Sequence, residues 1–184
     1  NLFDLSGKAA IVTGGNGGIG RGLALRLTAA GASVCIAGRD KEKNERVRRE
    51  IDETGARAIA SSCDVNVEAD IASTIAATEE AFGGLDILVN NAATNPYFGH
   101  VLDTDLNAYN KTVDVNVRGY FFMSIEAGKM MRAQRSGAIV NIASVNALHP
   151  GDMQGIYSIT KAAVVNMTKS FAKECGDMLG TMTL

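Results

Sequence analysis

Short apolar runs alternate with longer helical stretches along nearly the whole chain, and that alternation confines the fold more than any other feature. Lys8–Thr13 (KAAIVT), Ser33–Gly38 (SVCIAG), Ala58–Ser62, Asp86–Val89 (DILV) and Ala138–Ala143 (AIVNIA) read as buried strands. The stretch Ile19–Ala30 carries apolar residues at Ile19, Leu23, Ala24 and Leu27 and ends at Gly31. Asp40 reads as the N-cap of a charged helix through about Thr54, closed by Gly55. Val67–Phe82 is a third helix stopped by Gly83-Gly84, Asp105–Arg135 is a long helical region, and Gly155–Glu174 is the last helix. Strands alternating with helices build right-handed βαβ units, so the pattern predicts a parallel sheet covered on both faces. With 184 residues and neither repeat nor linker, a single doubly wound α/β domain over 1–184 is expected.

Composition removes several function classes. Apolar residues at 46% against 21% charged exclude a disordered chain. The formal charge of −2 argues against nucleic acid as a partner, because a binder must neutralise phosphates. A basic stretch over 39–49 is interleaved with Asp40, Glu42, Glu45 and Glu50 and reads as a solvated helix face. Cys35, Cys63 and Cys175 form no CxxC or Cys/His arrangement, which suits reduced thiols better than a disulfide framework. His100 and His149 have no metal-ligand spacing, so no metal site is expected. No apolar run approaches the ~20 residues needed to cross a bilayer, and no signal peptide opens the chain. A cytoplasmic protein without a membrane partner is the expectation.

Two motifs carry chemistry. Between the first strand and the first helix lies Gly14-Gly15-Asn16-Gly17-Gly18-Ile19-Gly20. Such a turn leaves free backbone N–H groups at the positive end of a helix dipole, which suits a pyrophosphate. Gly14 can take the tight turn, Gly18 permits close approach of the anion, and Gly20 lets the helix pack on the strand. The second motif is Tyr157-Ser-Ile-Thr-Lys161, with Ser144 at the end of the fifth strand. A spacing of four puts phenol and ammonium on one helix face. A free phenol titrates near 10, and an ammonium ~4 Å away at an effective dielectric near 20 supplies about 4 kcal/mol toward phenolate. That matches the roughly three units needed for acid/base work at neutral pH.

The spacing Thr-Gly-x-x-x-Gly-x-Gly and the Ser144, Tyr157, Lys161 set resemble the short-chain dehydrogenase/reductase family, and the resemblance covers nearly the whole chain. It implies a Rossmann-like sheet of strand order 3-2-1-4-5 and hydride transfer between NADP or NAD and an alcohol or ketone. Carried over by motif, Tyr157 is the acid/base, and Lys161 stabilises its phenolate and holds the nicotinamide ribose. Ser144 steadies the substrate oxygen, and Asn116, in Asn-Val-Arg-Gly, supports a proton relay. Asp64 and Val65 follow the third strand beside the adenine. Asn91 and Ala92 belong to an Asn-Asn-Ala motif in which Ala93 replaces the usual glycine. With the turn residues Gly14, Asn16, Gly17, Gly18, Ile19 and Gly20, these complete the expected cofactor contacts. An acidic residue at the end of the second strand suits NAD, whereas this chain has Gly38 followed by Arg39, which favours NADP. Asn95, Tyr97, Asn146, His149, Met153 and Gln154 fall in loops expected to face a small polyol, sugar acid or keto compound. A homodimer or homotetramer assembled through the long helical region and the last helix is implied as well.

The resemblance thins after Glu174-Cys175-Gly176. No Pro-Gly pair follows the last helix, the only prolines being Pro96 and Pro150. The family's final strands and substrate-covering segment are therefore expected to be missing, which leaves Ala138–Ala143 as an open sheet edge. Two readings follow: an active oxidoreductase, or a non-catalytic dinucleotide-binding or interaction module without a complete pocket.

Overall fold

The computed structural model describes residues 3–183, with side chains described as far as residue 176. Strands β1 (Ala9–Thr13), β2 (Ser33–Gly38), β3 (Ala58–Ser62), β4 (Ile87–Asn90) and β5 (Gly137–Asn141) form a sheet in the order 3-2-1-4-5, all parallel. Helices α1 (Gly18–Ala29), α2 (Lys41–Asp52) and α3 (Glu68–Phe82) connect the first four strands. As the spacing predicts, Asp40 caps α2, its carboxylate accepting from the Lys43 N–H at 3.0 Å. Gly83, at φ +85, ends α3 in the left-handed region that glycine adopts freely.

Alternation along β1 divides the core between two faces. Ile11 points into a cluster with Cys35, Leu88, Ile139, Met123 and Met131, while Ala10 and Val12 join Val34, Ile36, Val89, Ala24, Val47 and Ile51. Each fully buried aliphatic chain of this kind contributes about 1.5–3 kcal/mol. Burial on both faces explains why these strands read as continuous apolar runs.

The structure departs from the sequence reading in two places. The helical region over 105–135 is three pieces: α4 (Leu106–Val113), a π turn (Asp114–Arg118) and α5 (Gly119–Gln134). The open edge expected at β5 is not there. After β5, α6 runs over Gly155–Leu179, past its expected end at Glu174, and Gly180–Thr183 forms β6. This strand pairs in parallel with β5 from Gly137↔Gly180 to Val140↔Thr183. A four-residue strand without an apolar run carries no periodic signal, and backbone pairing alone places it.

The chain order reverses between β1 and β4, so the loops leaving their carboxyl ends diverge and open a crevice. Both motifs lie at that end of the sheet.

Candidate active site

The glycine turn leaves β1 at Gly14 (φ +63), and α1 begins at Gly18 (φ +48) behind an extended Gly17 with no side-chain cap. The first-turn N–H groups of α1 are therefore not covered by a side chain. A Cβ at Gly17 or Gly18 would meet nothing within 4 Å, whereas one at Gly20 would press into the Gly14 carbonyl and the Asn91 amide. Gly20 is what lets the helix sit on the turn. Ile19 lies exposed beside it.

Asn91 underpins this turn: its Nδ2 donates to the carbonyls of Thr13 (2.9 Å) and Gly14 (3.3 Å). Thr13, which the motif reading used only as a marker, accepts at its hydroxyl from the N–H groups of Asn91 (2.9 Å) and Ala92 (3.1 Å). The hydroxyl in turn donates to Val89 O at 3.3 Å, so one buried side chain ties β1 to β4 at the crevice floor.

A cavity of about 670 Å³ extends from the turn across the carboxyl ends of β2 and β3. Gly14, Asn16, Gly17, Arg39, Asp64, Val65, Asn91 and Ala92, all expected at the cofactor, line it together with Ala93. Gly38 is required there, since a Cβ would come within 2.6 Å of Asn16 Nδ2 and 2.9 Å of Asn44 Oδ1. Asn44 is a residue sequence reasoning missed. Buried in α2, it donates to Gly38 O (2.7 Å) and Ser61 O (2.8 Å) and accepts from Asn16 (2.6 Å). Arg39, Asp40, Lys43 and Lys111 all line the cavity. The Asp40 carboxylate is engaged by the Lys43 backbone N–H and ammonium, which hold it below the usual carboxylate range.

The second cluster lies where β5 gives way to α6. Ser144 is extended, and its Oγ accepts from Asn146 N at 3.2 Å. Tyr157 is half-buried on the first turn of α6, with Lys161 one turn later. Lys161 is 1% exposed and its ammonium donates to Ile142 O at 2.7 Å. The ammonium lies 5.7 Å from the Tyr157 ring centre and 5.2 Å from that of Tyr120 on α5. Burial pushes Lys161 down to about 8.

Asn116, fully buried in the π turn, braces this cluster. Its Oδ1 accepts from Thr94 N (2.8 Å), while Nδ2 donates to Thr94 O (2.9 Å) and Thr160 Oγ1 (3.1 Å). It thus joins the loop after β4 to the residue preceding Lys161. Two residues on, Arg118 donates to Asn66 O at 2.6 Å and pairs with Glu68, which secures the loop carrying Asp64 and Val65. Gly119 lets α5 approach that loop, since a Cβ there would reach 2.6 Å from Val65 Cγ2.

The expected substrate residues divide. Asn95 Nδ2 donates to Gln154 Oε1 at 3.4 Å, and Gly99 N donates to Met153 O at 2.9 Å, joining the two loops. Tyr97 donates to His100 O at 3.0 Å, inside its own loop. Asn146 and Met153 line a separate groove of about 620 Å³ with His100, Pro150 and Ile159, and neither Ser144 nor Tyr157 borders it. His149 is exposed on the loop after β5.

Among the described residues no helix is long and apolar enough to cross a membrane, and no cluster of three or more His, Cys, Asp or Glu could hold a metal. Cys35 is a core thiol whose pKa burial pushes up to about 12.

The arrangement is a glycine-turn cradle and a phenol–ammonium pair at one end of one sheet, and known proteins resemble the chain in sequence and fold. The chain is 34% identical over 170 residues to dehydrogenase/reductase SDR family member 4 of Oryctolagus cuniculus, covering 92% of this chain and 65% of that protein. It is 38% identical over 176 residues to the uncharacterized oxidoreductase YgcW of Escherichia coli (strain K12), covering 96% of this chain and 67% of that one. The chain thus spans about two thirds of the length of these curated relatives. The crystal structure of 3-ketoacyl-(acyl-carrier-protein) reductase from Brucella melitensis complexed with NADH superposes with a TM-score of 0.92 at 33% identity, covering 98% of this chain and 75% of that chain. The short chain dehydrogenase family model matches residues 8–178, and the chain belongs to that family.

Proposed function

We propose that this chain is the cofactor-binding and catalytic domain of a nicotinamide-dependent oxidoreductase that interconverts an alcohol and a ketone, with Tyr157 as acid/base. The observation that carries this reading is the buried ammonium of Lys161, held at Ile142 O and flanked by the Tyr157 ring. A buried cation without a carboxylate costs stability, and pairing with a phenol that must ionise gives that cost a chemical use.

The residues present fit a dinucleotide. The uncapped N-terminus of α1 and the open space over Gly17 and Gly18 suit a pyrophosphate, and the cavity past Arg39, Asp64 and Val65 suits an adenosine. The NADH complex of the ketoacyl reductase neighbour supports a nicotinamide cofactor here. When bound, such a cofactor supplies the hydride chemistry. In ketone reduction, the Tyr157 hydroxyl delivers its proton to the substrate oxygen, and Ser144 donates a hydrogen bond to the same oxygen as charge develops. In alcohol oxidation the substrate hydroxyl gives its proton to the Tyr157 phenolate, and Ser144 keeps its hydrogen bond to the same oxygen. The positive charge of Lys161 stabilises the phenolate left on Tyr157, and its ammonium would also hold the nicotinamide ribose. Asn116 would support a proton relay behind Lys161 by fixing Thr94 and Thr160, to which its amide hydrogen-bonds.

NADP is the proposed cofactor in preference to NAD. Gly38 puts no side chain at the end of β2, Arg39 and Lys43 line the cavity, and the carboxylate of Asp40, which also lines it, is engaged by the Lys43 N–H and ammonium. The proposed partners are a small alcohol or ketone and a second copy of this chain. Exposed Leu102, Leu106, Tyr109 and Ile159 near α4 and α6 supply an apolar surface for the copy. The test is NADPH and NADH oxidation over a panel of small ketones and keto acids. Turnover with at least one of them is expected. A folded, cofactor-binding chain that turns over none would contradict the enzyme reading.

A further inference from the structure

We propose that Tyr120 is a positioning residue for Lys161: its buried ring and hydroxyl form the back wall of the ammonium's site and turn the remaining donor toward Tyr157. The proposal rests on the reading of Tyr157 and Lys161 as an acid/base pair.

Tyr120 lies one turn beyond Asn116 and is 1% exposed. Its ring packs with Val164 and Met167 of α6 and with Val117 and Ala143, so three segments of chain fix its orientation. The Tyr120 hydroxyl donates to Ile142 O at 3.3 Å, the same carbonyl that accepts from Lys161 at 2.7 Å. A phenol that gives its proton to a carbonyl keeps its oxygen lone pairs, and Lys161 Nζ donates to that oxygen at 3.5 Å. Ammonium, hydroxyl and carbonyl therefore close a triangle. An ammonium has three N–H groups, and the triangle engages two.

Burial alone does not account for this arrangement. A phenylalanine would fill the same space among Val117, Val164 and Met167 without bringing a buried hydroxyl that needs partners. The hydroxyl instead lies against the one buried ammonium among the described residues, and the ring face lies 5.2 Å from it. The groups facing Lys161 are Tyr157 on its own helix, Tyr120 on α5 and the neutral Ile142 carbonyl after β5; Asn116 of the π turn is turned to Thr94 and Thr160. No carboxylate pairs with Lys161 among the described residues. Its charge is thus sustained by an oxygen pair and two ring faces. Burial and then the nearby Tyr157 raise the Tyr120 phenol above its ordinary value, so it stays protonated and does not compete as the base.

The test is the titration of Lys161 in the cofactor-free chain, followed by NMR of its side-chain carbon beside the ammonium. In the unsubstituted chain, where burial pushes the ammonium down to about 8, the titration is expected near that value. In Tyr120→Phe the oxygen acceptor is lost, and the titration is expected to move down by about half a unit to one unit. In Tyr120→Leu, which also loses the ring face, the move is larger. The alkaline limb of kcat/KM shifts down with it, whereas a role confined to packing would move melting temperature and leave both titrations in place. A folded Tyr120→Phe chain with an unshifted Lys161 overturns the proposal. If Lys161 shifts as expected while the unsubstituted chain reduces no carbonyl substrate, Tyr120 still positions Lys161 and the acid/base reading falls instead.

Discussion

A buried ammonium is the feature of single residues that most demands a chemical reason. Lys161 is charged in solution near neutrality, yet it sits under α5 with its pKa pushed from 10.5 to about 8. Between those values the unfolded chain binds more protons than the folded one, so this group makes stability rise with pH from about 8 to 10.5. Lys161→Met is therefore expected to abolish turnover while leaving the fold unchanged or stabilised by about 1–3 kcal/mol, and to remove that alkaline slope. Urea melts at pH 7 and pH 10 measure both effects; a large loss of stability at pH 7 would contradict them. Arg39 tests cofactor choice on the same scale. Arg39→Ala is expected to weaken NADPH binding by about 10–100-fold and NADH binding by less than about threefold, read by fluorescence titration. Equal losses would overturn the preference for NADP. The residues that could be read from the sequence, Ser144, Tyr157, Lys161 and the glycines, belong to motifs with fixed local spacing. Thr13, Asn44 and Tyr120 could not be read, because their partners Asn91, Ser61 and Lys161 are brought to them only by the folded sheet.

At the scale of elements, the strand–turn–helix unit is proposed to bind the cofactor and the β5–α6 unit to carry the reaction. The turn makes different demands on its glycines, and a pair of substitutions separates them. Gly20→Ala drives a methyl into Gly14 O and the Asn91 amide, so it is expected to destabilise the chain by about 1–3 kcal/mol and to weaken cofactor binding at least tenfold. Gly17→Ala meets open space at an extended φ of −167 and is expected to fold normally. Thermal melts of the two variants check the contrast, and equal destabilisation would contradict it. Element boundaries were legible wherever apolar runs met glycine or an N-cap, as at Gly14, Asp40 and Gly83. The π turn at Asp114–Arg118 was not, because the periodicity of 105–135 passes through it without a break. Its purpose appears only once Asn116 is seen to hold Thr94 and Thr160. β6 was illegible for a different reason: Gly180–Thr183 has no apolar pattern, and its partner β5 lies more than 40 residues earlier.

For the whole molecule, a doubly wound parallel sheet brings two distant motifs to the same end of the sheet, where the strand order reverses between β1 and β4. Fold class followed from alternation alone; the joining of the substrate loops through Asn95 and Gln154 did not, since it depends on loop paths. The apolar surface around Leu106 and Ile159 belongs to this scale too. Leu106 is 72% exposed and Ile159 61%, and a charge placed there is expected to dissociate a pair of chains. Light scattering should find a dimer for the unsubstituted chain and a dimer constant at least about tenfold weaker for Ile159→Glu; a monomer in both cases would refute that partner. The central claim is tested most directly by Tyr157→Phe, which removes one oxygen and leaves the cradle intact. Steady-state reduction of a ketone substrate is predicted to fall about 10²–10⁴-fold while cofactor affinity stays within about threefold. Turnover that survives the substitution would contradict the assignment of Tyr157 as the acid/base.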